Sequence, residues 1–169
     1  GYDLYCQMVT EAVGEMKGEP APNQPPEIKL DVPIDSFLPE DYVSKEELRL
    51  EAYRRLAEVT TQARVDDIRA EWEDRYGPLP APAEALLQVG YLRAECHRLG
   101  IRDLQITSND ARVQPIELAV SATLRLRRLS KGAKYKEDLH QLVVPLPRGQ
   151  DPATYLVGFF RDLVPAETE

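Results

Sequence analysis

The sequence predicts an α+β fold, that is, a single domain with several helices packed on short, mostly antiparallel strands. Apolar residues recur at helical spacing between residues 44 and 99. After Gly100 the apolar residues occur in short, β-rich runs separated by turn residues. Helices interspersed with short strands are typical of α+β proteins, and a length of 169 residues suits one domain.

The N-terminal part of the chain contains a predicted helix, a linker and a strand. Apolar residues at helical spacing predict a helix that ends at Gly18, and four prolines in the ten residues from Gly18 onwards predict a stiff, extended linker. Alternating apolar and polar residues from Ile28 to Ile34 predict a strand, and Pro33 favours a sheet edge. The predicted units are a connecting helix at 1–17, a proline-rich linker at 18–27 and an α+β domain at 28–169.

Local signals predict the ends of the next two helices. Ser44 and Glu47 form a capping-box pattern, which predicts the start of the first helix. Thr60 or Thr61 caps the second helix, and Gly77 ends it in a left-handed conformation. The buried stripes of these helices are predicted to contain Leu48, Ala52, Leu56 and Val59 in the first, and Val65, Ile68, Trp72 and Tyr76 in the second.

The rest of the chain combines strands with three helices. The helix with Pro82 in its first turn ends at Gly100 and buries Val89, Leu92 and Cys96. Next, a hairpin-like break at Asn109-Asp110 separates two strands. The remaining predicted elements are a short helix capped by Ser121, a strand pair within 133–147, and a last helix that opens at Asp151 and Pro152 and carries Leu156, Phe159, Phe160 and Leu163 on its apolar face.

Composition and charge narrow the class of protein. Hydrophobic residues make up 43% and charged residues 30%, which is ordinary for a soluble globular protein, and no apolar run is long enough to span a membrane. The net charge of -8 repels nucleic acid and anionic lipid unless a local basic patch exists. No signal peptide is visible, and the chain starts at Gly1 without a methionine, so we expect a piece of a longer cytoplasmic protein.

The sequence contains no catalytic or cofactor-binding motif. It has no glycine-rich phosphate-binding loop, and His97 and His140 lack further ligands at metal spacing. Cys6 and Cys96 fit neither a disulfide framework nor a metal site, so we expect two free thiols in a reducing compartment. We therefore expect a fragment without enzymatic activity, cofactor or metal; the alternative of an enzyme with a carboxylate pair requires a cleft that holds both acids.

A line of acidic residues lies on the second predicted helix. At about 100° per residue, Asp67, Glu71 and Asp74 fall together, nearly opposite the apolar stripe that contains Trp72. The simplest interpretation is a solvated face with Glu71 paired to Arg75 at i,i+4. However, Asp74 lies near the helix C-terminus, where the helix dipole disfavours a carboxylate. This small cost invites a functional explanation, such as the binding of a basic partner, but the solvated face stays the simpler interpretation of these residues.

A basic stretch follows later in the chain. Residues 125–136 contain six cationic side chains and no acidic residue. The alternatives are a solvated basic face or a nucleic-acid-binding accessory module that uses this stretch to contact phosphates. The second alternative requires the cations to converge on one face beside a groove. The six cationic residues are Arg125, Arg127, Arg128, Lys131, Lys134 and Lys136.

Several segments together resemble one family. "GYDLYCQMVTEAV", "LPEDYV" followed by "RLEAYRRLAEV", and "DIRAEWEDRYGPLPAPAEALLQVGYLR" occur in the order found in transcription-repair coupling factor, Mfd. The resemblance covers nearly the whole chain and matches the C-terminal domain of that family. It is looser after Gly100. No single motif is specific, but the ordered set over about 100 residues is.

The resemblance implies a regulatory role within a larger protein. The parent would be an ATP-dependent DNA translocase that removes stalled RNA polymerase and recruits nucleotide-excision repair through UvrA. Its motor, which would bind ATP and Mg, its RNA polymerase-binding module and its UvrB-like N-terminal module would all precede Gly1. The C-terminal domain would dock on the UvrB-like module and mask the UvrA-binding surface, which is autoinhibition.

The resemblance also assigns roles to two residues. In the family block E-x-x-D-R-[FY]-G, the Glu and the Asp face basic residues of the UvrB-like module. These positions are Glu71 and Asp74 in this sequence, where Tyr76 occupies the aromatic position. Asp67, one step earlier on the same face, is the third partner-binding candidate. No catalytic, cofactor-binding or metal-binding residue is implied for this domain.

Overall fold

The computed structural model describes residues 27–31 and 35–166. The predicted helix at 2–17, almost all of the linker at 18–27 and Cys6 lie outside the described residues. Within them, five helices and five strands confirm the predicted α+β fold. The helices are α1 Glu46–Ala57, α2 Gln62–Tyr76, α3 Ala81–Leu99, α4 Val120–Leu129 and α5 Pro152–Leu163. The strands are β1 Lys29–Leu30, β2 Asp103–Ile106, β3 Asp110–Gln114, β4 Lys134–Lys136 and β5 Gln141–Pro145, and a 3-10 turn spans Glu137–Leu139.

The strands form one mixed sheet in the order β1-β2-β3-β5-β4. Neighbouring strands are antiparallel except for β1, which pairs with β2 in parallel at one edge. Both predicted strand pairs are confirmed as antiparallel pairs. The predicted strand from Ile28 is described only up to Asp31, and its Lys29–Leu30 part lies at the sheet edge, as expected.

The two faces of the sheet differ in polarity because side chains alternate along each strand. One face packs into the core and carries Leu104, Ala111, Val113, Leu142 and Val144, all of which are inaccessible to solvent. The opposite face carries Gln105, Arg112, Gln114, Lys134 and Lys136, all of which are exposed. The domain is therefore a two-layer structure with the helices on one side of the sheet.

Helix α3 is the centre of the helical layer. It contacts α1, α2 and α5, and α5 in turn contacts α4. Gly90 lies where α3 meets α1, because a Cβ atom built there would come within 2.7 Å of Leu56 Cδ1. The predicted apolar face of α5, which includes Phe160 and Leu163, is buried against the core, as expected. Consequently α3 and α5 link α2 to α4 within the helical layer.

Two predicted helix caps are confirmed. The Thr61 side chain accepts a hydrogen bond from the Arg64 amide, and the Asp151 carboxylate accepts one from the Thr154 amide at 3.0 Å. Gly77 ends α2 with a positive φ of 89°, but its ψ of -165° is not the predicted left-handed helical value. These caps involve groups three residues apart, and their geometry is therefore determined locally.

Two other predicted caps are wrong. Helix α1 begins one residue later than the Ser44 capping box requires, with Lys45 as the cap residue and no capping side chain. Arg49 instead donates hydrogen bonds to the carbonyl oxygens of Val43 and Ser44, which ties this loop to the helix. Helix α4 begins before Ser121, because the Thr123 amide already bonds to the Ala119 carbonyl.

Candidate interaction surface

The acidic line lies on the outer face of α2. Trp72 is 2% exposed, and it is buried together with Val65 and Ile68. This confirms the predicted helical phase. Asp67 and Asp74 are exposed, also as predicted. The two residues are seven positions apart, which corresponds to about 10 Å along the helix axis, so their carboxylates lie on the same face two turns from each other.

Glu71 differs from the other two acids because it is already paired inside the domain. The prediction that it is exposed like Asp74 is wrong, since its side chain is only 33% exposed. Arg55 of α1 donates a hydrogen bond to Glu71 Oε2, and Arg75 lies 3.7 Å from Glu71 Oε1. The Arg75 pair was expected from the i,i+4 spacing, whereas the Arg55 pair depends on how α1 packs beside α2.

Asp66, Arg69 and Glu73 of α2 also have partners inside the domain. The Tyr91 hydroxyl donates a hydrogen bond to the Asp66 carboxylate. Arg69 donates to Glu84, with 2.7 Å between Nη2 and Oε1, and lies 3.9 Å from Glu73. The hydrogen bond from Arg69 lowers the pKa of Glu84. Burial acts in the opposite direction and raises this pKa, but it is the weaker of the two effects.

Asp67 and Asp74 are the acids of α2 that remain without such a partner. Neither has an ion pair or side-chain hydrogen bond with any residue in the described part of the chain. Asp74 also lies in the last turn, where the negative end of the helix dipole faces it. These two carboxylates therefore present negative charge that the described domain does not neutralise.

The C-terminal end of α2 is held in place by the loop before α1. The Tyr42 hydroxyl donates to the Gly77 carbonyl at 2.9 Å and lies 3.2 Å from the Trp72 carbonyl. Its ring meets Tyr76 edge to face. Burial and the nearby Glu73 carboxylate raise the pKa of Tyr42, so the hydroxyl keeps its proton as a donor. The end of the helix that carries Asp74 is thus fixed by contacts from a separate segment.

The basic stretch 125–136 does not form one surface. Arg125 donates to the Leu163 carbonyl at the end of α5, whereas Arg127 and Lys131 line a cleft beside α4. Lys134 and Lys136 are exposed on the open face of the sheet, because Tyr135 between them points to the core side, where its hydroxyl bonds to the Ile116 carbonyl. Cations spread over separate surfaces do not provide one phosphate track.

The described residues contain neither a metal-binding cluster nor a membrane-spanning helix. Within residues 27–31 and 35–166, no group of three or more metal-ligating side chains lies together. None of the helices in this part of the chain has the length and apolarity needed to cross a membrane. The cleft beside α4 is lined by one carboxylate, Glu137, whereas the enzyme alternative requires two.

Comparison with known proteins identifies the family. The family model described as the TRCF domain matches residues 32–123. A transcription-repair-coupling factor from Mycobacterium tuberculosis (strain CDC 1551 / Oshkosh) is 37% identical over 159 residues, which cover 88% of this chain. The chain belongs to the transcription-repair coupling factor family. The resemblance stated from the sequence is therefore confirmed.

Other comparisons define which part of a transcription-repair coupling factor this is. The Staphylococcus aureus (strain USA300) protein is 32% identical over 124 residues, and they cover 73% of this chain but 10% of that protein. The match to the Mycobacterium tuberculosis relative likewise covers 13% of its length. A crystal structure of the C-terminal domain of transcription-repair coupling factor shares the fold with a TM-score of 0.70 at 18% identity, covering 85% of this chain and 95% of that one. The chain thus corresponds to a C-terminal domain of the family.

Proposed function

We propose that this chain is a non-catalytic, autoinhibitory interaction domain of a cytoplasmic transcription-repair coupling DNA translocase. It docks on the UvrB-like N-terminal module of its own parent protein and masks the surface that UvrA binds. ATP and Mg act in the upstream motor, and RNA polymerase and DNA are bound by other upstream domains. Asp67, Glu71 and Asp74 of α2 are the partner-binding residues.

The unpaired carboxylates of Asp67 and Asp74 are the main observation in support. Arg69, Glu71 and Glu73 of α2 have ion pairs within the domain, whereas Asp67 and Asp74 lie exposed on one face with no ion pair among the described residues. A basic surface on the UvrB-like module would neutralise them. Glu71 lies between the same two turns, but Arg55 and Arg75 already pair with its carboxylate, so most of the negative charge that this face offers comes from Asp67 and Asp74.

A surface that relies on charge suits a contact that has to open. The closed state hides the UvrA site, and any event that favours the open state shifts the population. The size of such a shift is limited by how much more tightly the triggering partner binds the open state than the closed state. A contact made by a few exposed carboxylates can be overcome by a few kcal/mol, whereas a large apolar interface cannot.

The test is a charge reversal of Asp67 and Asp74 to lysine in the full-length parent protein. Losing charge pairs and placing like charges together weakens such interfaces by about 2–5 kcal/mol. We expect the variant to bind UvrA more tightly than the wild type in the absence of ATP and RNA polymerase. Surface plasmon resonance with immobilised UvrA measures this difference directly.

The matched control is Glu117→Lys. Glu117 is also exposed and has no ion pair within the described residues, but it lies between β3 and α4, away from the acidic line. This change alters the net charge without touching α2, and we expect wild-type UvrA binding. If the double variant is folded and binds UvrA no better than the wild type and the control do, Asp67 and Asp74 do not form the docking contact.

A further inference from the structure

Helix α4 exposes apolar side chains on its outer face. Val120 is 77% exposed and Leu124 is 57% exposed, and the two lie one helical turn apart. The helix contacts the core mainly through Ala122 and Leu126, which are buried. Single exposed apolar residues are normal on protein surfaces. Val120 and Leu124, however, lie in line along α4 and together form a short apolar strip on its outer face.

Cationic side chains continue this strip towards the end of α4. At about 100° per residue, Arg127 lies about 20° and Arg128 about 80° from the direction of Val120. Arg127 also borders a cleft of about 520 Å³ between α4 and the loop to β4, together with Lys131, Ser130 and Tyr135. Along α4, the two apolar side chains of the strip are therefore followed by cationic side chains within less than three helical turns.

We propose that the outer strip of α4 and the adjoining cleft bind an acidic amphipathic helix of another protein. Apolar side chains of that helix cover Val120 and Leu124, and a carboxylate one or two turns further along enters the cleft between Arg127 and Lys131. The complementarity of charge identifies the occupant, because Arg127, Arg128 and Lys131 follow the apolar strip and form a local group of cations.

The same features disfavour nucleic acid as the occupant. Val120 and Leu124 offer nothing to a phosphate backbone, which binds through cations and hydrogen-bond donors. Two cations and one carboxylate, Glu137, line the cleft, so its lining carries a single net positive charge. One such charge suits one carboxylate better than a run of phosphates, which needs several cations in a row.

This surface is independent of the proposed docking face on α2. The two surfaces share no residue, and the larger helix contacts connect α2 to α4 only through α3 and α5. The two surfaces also carry opposite charges. A partner on α4 could therefore be held while the acidic line of α2 is occupied, and changes on one surface can be tested without altering the other.

The experiment uses the whole chain and a fluorescein-labelled synthetic helix of about 18 residues, with leucine at heptad positions a and d and glutamate at e and g. Fluorescence anisotropy at about 0.1 M salt measures binding. We expect the probe to bind the wild-type chain, and Leu124→Ser or Arg127→Glu to weaken binding by about tenfold or more. Both residues have exposed side chains, and thermal unfolding by circular dichroism verifies that the variants are folded.

Two controls make the test specific. Arg64→Glu, which makes the same change of charge at an exposed arginine of α2, should leave probe binding unchanged, and a probe with lysine in place of glutamate should bind less tightly. The proposal is overturned if the acidic probe does not bind the folded chain, or if both α4 variants bind it as the wild type does. It is equally overturned if duplex DNA binds and depends on Arg127 but not on Leu124, or if Leu124→Ser only dissolves a dimer of this chain.

Discussion

Arg55 of α1 pairs with Glu71 of α2, so that one of the three carboxylates of the acidic line is bound within the domain. Asp67 and Asp74 have no such pair in the described part of the chain. The same line therefore contains one residue with a structural contact and two without. A substitution at Glu71 should therefore affect the stability of the fold, whereas substitutions at Asp67 and Asp74 should affect docking alone.

Reversal of Glu71 should destabilise the isolated domain more than reversal of Asp74. Glu71→Lys places a third cation between Arg55 and Arg75, and we expect a loss of about 0.5–1 kcal/mol in the free energy of unfolding. Asp74→Lys should change it by less than about 0.5 kcal/mol, since it removes no pair and a cation suits the helix end. Urea unfolding of both variants checks this order, and an equal loss in both would contradict it.

Glu95 should be the most important acid for stability. It is 1% exposed, accepts a hydrogen bond from Gln62 of α2, and pairs with Arg98 at 2.7 Å and with Arg161 of α5 at 3.3 Å. Glu95→Gln keeps the volume but removes the charge, and we expect a loss of about 1–3 kcal/mol because hydrogen bonds to charged groups are the stronger ones. The comparison is Glu117→Gln at an exposed site, and a similar small effect of both changes in urea unfolding would refute the prediction.

Glu84 should contribute stability that depends on pH. Its pKa is lowered mainly by the hydrogen bond from Arg69. A lowered pKa in the folded state gives a contribution that is present above the unfolded-state pKa of about 4.3 and is lost as the pH falls through the lower folded-state pKa.

The measurement is the difference in unfolding free energy between the wild type and Glu84→Gln. We expect this difference to be full at about pH 7 and to shrink below about pH 4. It should also fall with added salt, because the Glu84 side chain is 41% exposed and its pair is partly screened. A difference that stays constant between neutral and acidic pH would exclude the Arg69 bond as its cause.

Cys96 should react with thiol reagents only when the domain unfolds. The residue is buried, and burial raises the pKa of its thiol to about 12, so the reactive thiolate is scarce at neutral pH. In a Cys6→Ser variant, Cys96 is the single cysteine of the chain. Reaction with Ellman's reagent should be slow in buffer and fast in urea, and fast labelling of the folded protein would show that the site opens without global unfolding.

The helix ends show where local prediction works and where it fails. Thr61 and Asp151 cap their helices as predicted, because a capping side chain and the amide it binds are three residues apart in the chain. The pattern at Ser44 is equally good locally, yet it forms no cap. Arg49 bonds to the carbonyl oxygens of Val43 and Ser44 instead, and this contact from one turn into the helix ties the preceding loop to α1.

The basic stretch shows a second kind of limit. Its composition suggested one cationic surface, but Arg125 is directed to the end of α5 while Lys134 and Lys136 lie on the open face of the sheet. The sequence contains the helix and strand periods that separate these side chains. The direction in which each cationic side chain points also depends on where α5 and β5 lie, and this placement cannot be read from the sequence.

The sequence by itself determined the family of this chain, its α+β class and the burial of Trp72 opposite Asp67 and Asp74. Those features depend on the order of residues and on the phase of a helix, which are local properties. Only the tertiary structure decided which acids of that line are neutralised. Arg55 precedes Glu71 by 16 residues and belongs to another helix, so their contact exists only because α1 and α2 both pack on α3.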